Sequence, residues 1–198
     1  AALSGKGATI VTADEHSAAF DAVLDLVTSR GITETTLRRV ADHSGLDGKT
    51  LRRRYGSQYG LLMAAAKELE LELDRRLAAV GSEPRSDSAA DRRAYLEAVA
   101  HALLLDPADR RRLLLRTEIV ASARLVHGME VETREMDRST RAIVAAALTR
   151  AGVAEVELET ERLLALISGL AFALAYPHGA DERTADRVVR HHIASIVH

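Results

Sequence analysis

No stretch of this chain alternates apolar and polar residues. From position 14 onward its apolar residues return every three or four places, with glycines as punctuation. A half-buried strand needs a period of two and an amphipathic helix a period of 3.6, so the pattern predicts an all-α protein. Phe20, Val23, Leu24 and Val27 show the spacing plainly, at i, i+3, i+4 and i+7. Ala, Leu, Arg and Glu, all strong helix formers, supply most of the remainder. With 198 residues the chain is long enough to bury a substantial core. It has no cysteine, which excludes disulfide frameworks, Cys-ligated zinc and thiol catalysis. Aromatics make up 3% of the residues, too few for the stacking platforms of a single-strand binder.

The periodicity predicts about nine helices, at 14–30, 36–43, 48–55, 58–80, 89–105, 107–127, 129–151, 155–176 and 182–197. Thr35 and Asp47 are the expected N-caps of the second and third. The segment 81–88 reads as a loop. The most apolar run, 163–176, is broken by Ser168-Gly169 and falls short of the roughly 20 residues a bilayer span needs. It predicts a buried helix. No targeting segment is visible, so the expected location is the cytoplasm, with no membrane partner.

Residues 1–67 carry nine basic groups against seven acidic ones, and six of the nine lie between Arg38 and Arg54. A basic stripe in a chain of net charge −2 is the footprint expected of a nucleic-acid surface, and on charge alone equally of a solvated helix face. The stripe falls on two short helices separated by Ser44-Gly45-Leu46. There Gly45 is expected to let the backbones cross closely, and Leu46 to pin the turn to the core. This is a helix-turn-helix candidate, with the N-terminal half of its second helix aimed at a major groove.

The match extends beyond the turn. The stretch GITETTLRRVADHSGLDGKTLRRRYGSQYGLL, 31–62, places Gly31, Thr35-Thr36-Leu37, Val40-Ala41, Gly45-Leu46, Thr50-Leu51, Tyr55, Ser57 and Leu61-Leu62 in order. In this it resembles the N-terminal signature of TetR-family transcriptional regulators. It departs from that signature at four positions. Asp47 stands where serine is usual, Lys49 for glycine, Arg52 for tyrosine and Gln58 for lysine. The resemblance implies a helix-turn-helix DNA-binding domain over 1–63, with 1–13 a flexible arm, and a ligand-binding and dimerisation domain over 64–198.

On this reading Lys49, Thr50 and Arg53 are candidates for base edges. Thr35, Thr36, Arg52, Arg54 and Tyr59 are candidates for phosphate contacts. Arginine reads guanine bidentately, so the operator is expected to favour G·C. Tyr55 is expected in the core, and at least one of Arg38 and Arg39 in a surface ion pair. The last two helices would form an intersubunit bundle. Ala165, Gly169 and Ala173, recurring every four positions, allow close approach beside Leu166 and Leu170, with Val189, Ile193 and Ile196 on the final helix. Two-fold symmetry would then present two recognition helices to a palindromic operator.

An effector pocket is expected among the middle helices, with Tyr95, Glu118, His127, Met136 and Phe172 as candidates. Scarce aromatics argue for an aliphatic or acyl-type ligand over a caged cation. His178, His191, His192 and His198 lack the spacing of a metal site, and no nucleophile elbow, phosphate loop or HExxH is present. No cofactor and no catalysis are expected. The sequence thus predicts a homodimeric, ligand-responsive repressor of double-stranded DNA, released by a small-molecule inducer. The competing class is a dimeric small-molecule-binding or adaptor protein on the same scaffold that no longer binds DNA.

Overall fold

The computed structural model describes residues 13–104, 109–123, 129–176 and 180–198. Among them are nine α-helices and no strand: α1 Ala13–Arg30, α2 Leu37–Ser44, α3 Gly48–Tyr55, α4 Gln58–Val80, α5 Ala89–Leu103, α6 Arg110–Ser122, α7 Met129–Arg150, α8 Val156–Ala175 and α9 Glu182–Ile196. The fold is all-α, as the periodicity predicts. The sequence did not disclose a 3-10 turn, Ile32–Glu34, that follows Gly31. Of the expected N-terminal arm, only Ala13 is among the described residues, and it opens α1.

The helices start where side chains can satisfy their orphan amides. Thr36, Asp47, Ser88, Asp109 and Asp181 each accept a hydrogen bond from the backbone N–H three residues on. Such caps each contribute about 0.5–2 kcal/mol. The cap of α2 is therefore Thr36, one residue later than expected, because the 3-10 turn displaces the helix start.

The described residues divide into two compact units at Ala65/Ala66, inside α4. In the first, α1 packs on α2 and on the 3-10 turn, and α2 on α3. Val23, Leu24, Val40 and Leu51 are fully enclosed there. In the second, α8 packs against α6 and α7, and α5 against α9. Leu96, Leu103, Leu113, Leu115, Leu148 and Leu163 form its centre.

Two expectations about the C-terminal helices need correction. The run 163–176 is not buried all round. Leu163, Ile167 and Leu174 face inward, while Ala165, Gly169 and Phe172 are exposed. Conversely Val189 and Ile193, read as subunit-interface residues, are both 0% exposed within the single chain. Leu170 is also buried. Their apolar stripe serves the core of this unit, a use that helical periodicity cannot tell from an interface. No helix among the described residues is long and apolar enough to cross a membrane.

Candidate nucleic-acid interface

The link from α2 to α3 is built by three small residues. Gly45 ends α2 in the left-handed region at φ 72°, its N–H donating to the Ala41 carbonyl. A Cβ on Gly45 would meet nothing within 4 Å. Glycine is needed there for its backbone conformation, and not for the close crossing that the sequence suggested. At Gly48 a Cβ would lie 3.9 Å from that of Ala41, an ordinary contact. Ser44 Oγ donates to the Val40 carbonyl and accepts from the Leu46 N–H. Leu46 is half-buried.

Asp47 starts α3. Its Oδ2 accepts from the Thr50 N–H at 2.9 Å and from the Thr50 hydroxyl at 3.0 Å. These bonds hold the Asp47 carboxyl below the usual carboxylate range. A negative group at the positive end of a helix is favourable in itself. Beyond the cap, Lys49, Arg52, Arg53 and Arg54 are all exposed, and Leu51 is the helix's single fully buried side chain. Thr50 is half-buried with its hydroxyl turned to Asp47.

The far end of α3 is fastened twice. Tyr55, expected in the core, is half-buried and shares a 2.9 Å hydrogen bond with His16 Nδ1 of α1. The Arg54 guanidinium lies 5.7 Å from its ring centroid. At Gly60 a Cβ would fall 2.0 Å from the Tyr55 carbonyl oxygen, so only glycine lets α4 leave the end of α3 in this direction. Gln58 donates from Nε2 to the carbonyls of Ile32 and Thr33 at 3.1 and 3.2 Å. This side chain thus braces the 3-10 turn.

The remaining candidates divide. Thr36 and Tyr59 are half-buried near the surface. Thr35 is 0% exposed and its hydroxyl donates to the Gly31 carbonyl. Its side chain is thus part of the interior, which removes it as a phosphate contact. Arg39 pairs with Glu34 at 2.7 Å, the surface ion pair expected of that arginine doublet, whereas Arg38 is exposed.

In the second unit two of the effector candidates, Glu118 and Phe172, meet at Tyr176, while Tyr95 is engaged elsewhere. Tyr95 is buried and donates to the Ser82 carbonyl. Glu118 accepts from the Tyr176 hydroxyl at 2.9 Å, and burial first, then Glu118, pushes the Tyr176 phenol up. Met136 is half-buried on α7. Phe172 is 57% exposed on α8, its ring 4.6 Å from that of Tyr176. His127 lies outside the described residues, as does His178.

A groove of about 520 Å³ between α6 and α7 is lined by Val120, Thr133, Arg134, Asp137, Arg138 and Arg141, none of them a candidate. Sequence reasoning also missed a polar pair between α8 and α9. Glu159 is 4% exposed, and its Oε2 lies 3.5 Å from His192 Nε2. Arg162 bonds the other carboxylate oxygen at 2.6 Å. Among the described residues no group of three His, Asp or Glu side chains is placed to hold a metal ion.

The proposed dimer face is accordingly redrawn. Of the residues read for it, Ala165 and Gly169 are exposed, and Leu166, Ala173 and Ile196 half-buried. With Leu158 and Phe172 they leave one flank of α8 uncovered, at 158, 165, 169 and 172.

A capped eight-residue helix bearing four exposed cations, held by a small helical unit and followed by a larger helical body, is the architecture of a helix-turn-helix transcriptional regulator. The chain belongs to the TetR family of such regulators. Residues 92–198 match the family described as BetI-type transcriptional repressor, C-terminal. Solved structures share the fold. A transcriptional regulator from Rhodococcus sp. Rha1 has a TM-score of 0.77 at 22% identity, covering 91% of this chain and 95% of its own. A TetR transcription regulator from Haloarcula marismortui has a TM-score of 0.77 at 18% identity, covering 94% and 100%. A regulator from Saccharomonospora viridis in complex with choline has a TM-score of 0.70 at 17% identity, covering 93% and 95%. No curated protein matches the sequence significantly.

Proposed function

We propose that the protein is a homodimeric repressor that binds a palindromic operator through α3 and leaves it when a small molecule enters the C-terminal body. The observation that carries this reading is the outward display of Lys49, Arg52, Arg53 and Arg54 on a capped helix behind a left-handed glycine turn. Four cations on one short exposed helix suit a polyanion. On this reading Lys49 and Arg53 read base edges, and Arg52, Arg54, Thr36 and Tyr59 contact phosphates and serve register.

The flank of α8 at Leu158, Ala165, Gly169 and Phe172 is the surface on which a second copy packs. Symmetry then duplicates the recognition helix. The first and second units share α4, so a ligand that shifts the body's end of that helix also moves its DNA-reading end. The Saccharomonospora relative holds choline. In this chain aromatics are few, which argues against a cationic cage and supports an aliphatic or acyl-type inducer.

Selection of bound duplexes from a random pool, followed by titration against salt, tests the reading. The expected result is a palindrome bound with a steep salt dependence. Replacing Arg52, Arg53 and Arg54 with Ala should flatten the logarithmic slope by about 2 per protomer, from the two arginines assigned to phosphates. Absence of duplex binding even at low salt would instead favour a scaffold that no longer engages DNA.

A further inference from the structure

Resting on the DNA-binding reading above, we infer that Asp47 is itself a base-reading residue, selecting a cytosine in each operator half-site. Asp47 is exposed at the N-cap of α3, the end of a recognition helix that meets base edges. Its carboxylate is fixed in place. Oδ2 is engaged by both donors of Thr50, at 2.9 and 3.0 Å, which leaves acceptor capacity on the second oxygen. Capping alone does not call for a charge, since serine or asparagine caps a helix as well as aspartate.

The chemistry of the groove decides what such a carboxylate can meet. Phosphates repel it. Guanine O6 and N7 and thymine O4 are acceptors and also repel it. Two donors remain, adenine N6 and cytosine N4. Adenine sets its N7 acceptor beside the amino group, where an acceptor-only carboxylate is opposed. Cytosine presents the amino group without that neighbour. Lys49, two residues on and exposed, offsets the carboxylate's charge near the backbone and suits a guanine. One helical end thus carries an acceptor for cytosine and a donor for guanine.

The test compares the full chain with its Asp47→Asn variant in selection from random duplexes, followed by competition between duplexes differing at one base pair. Asparagine keeps the cap, and thermal unfolding of the variant, expected slightly below the wild type because only the charge at the helix start is lost, confirms that the fold persists. Its amide, however, pairs with adenine N6 and N7. The wild type should enrich one cytosine per half-site, preferred over adenine by roughly five- to a hundredfold. The variant should move that position, and no other, toward adenine. An identical preference in both proteins would overturn the inference and leave the operator reading standing. A wild type that enriches no duplex would overturn both.

Discussion

His192 sits where burial and charge oppose one another. Its Nε2 and the facing Glu159 Oε2 are enclosed and 3.5 Å apart, and neither has a hydrogen-bond partner among the described residues. Burial holds its imidazole below the ordinary 6.5; Glu159 pulls it up, while Arg162 and His191 push it down. The folded chain therefore binds this proton less readily than the unfolded one. Above about pH 6.5 both states are neutral here and the site is indifferent to pH. Below it the unfolded chain takes the proton first, so stability falls with falling pH until the folded value is passed. Melting temperatures at pH 7.5 and 5.5 should show this loss, and His192→Gln should reduce it. The carboxyls of Asp91, Asp181 and Asp186 are also held low, but they lose their contribution in a lower window, below about pH 4. A variant with an unchanged pH slope would remove His192 as the cause.

Between elements, the junction of α3 and α4 is governed by Gly60. Alanine is normally the better helix former by about 1 kcal/mol. Here its methyl would fall 2.0 Å from the Tyr55 carbonyl, a backbone atom that cannot swing aside. Gly60→Ala should therefore destabilise the protein by about 1–3 kcal/mol and weaken duplex binding as the end of α3 shifts. Calorimetry and operator titration would check both, and a stabilised variant would show that the junction yields.

The helices themselves were legible because their caps and glycine stops are local. Asp47 before Gly48 and Gly45 after Ser44 announce α2 and α3 without any tertiary knowledge. What could not be read is which side of an apolar stripe meets its own chain. Val189 and Ile193 have the spacing of an interface and lie in the core, while Phe172, within a run expected to form a buried helix, is exposed. Thr35 shows the same limit at the candidate interface. A Thr-Thr pair at a helix start does not say which hydroxyl caps and which turns inward to Gly31.

For the whole molecule the decisive question is what covers α8. Leu158 is 44% and Phe172 57% exposed, and the intervening Ala165 and Gly169 are small enough for another helix to come close. A Cβ on Gly169 would meet nothing within 4 Å, so this glycine is not required by its own chain. Burying a phenylalanine is worth about 1.5–3 kcal/mol, and two-fold symmetry doubles the effect of any change at the face. Phe172→Glu should accordingly turn a dimer into a monomer at micromolar concentration in sedimentation velocity, with little change in helical content. Because a monomer engages one half-site only, its affinity for a palindrome should drop toward that for a single half-site. A variant that stays dimeric would move the interface away from this flank of α8. One that becomes monomeric yet binds the full operator undiminished would separate DNA recognition from pairing altogether.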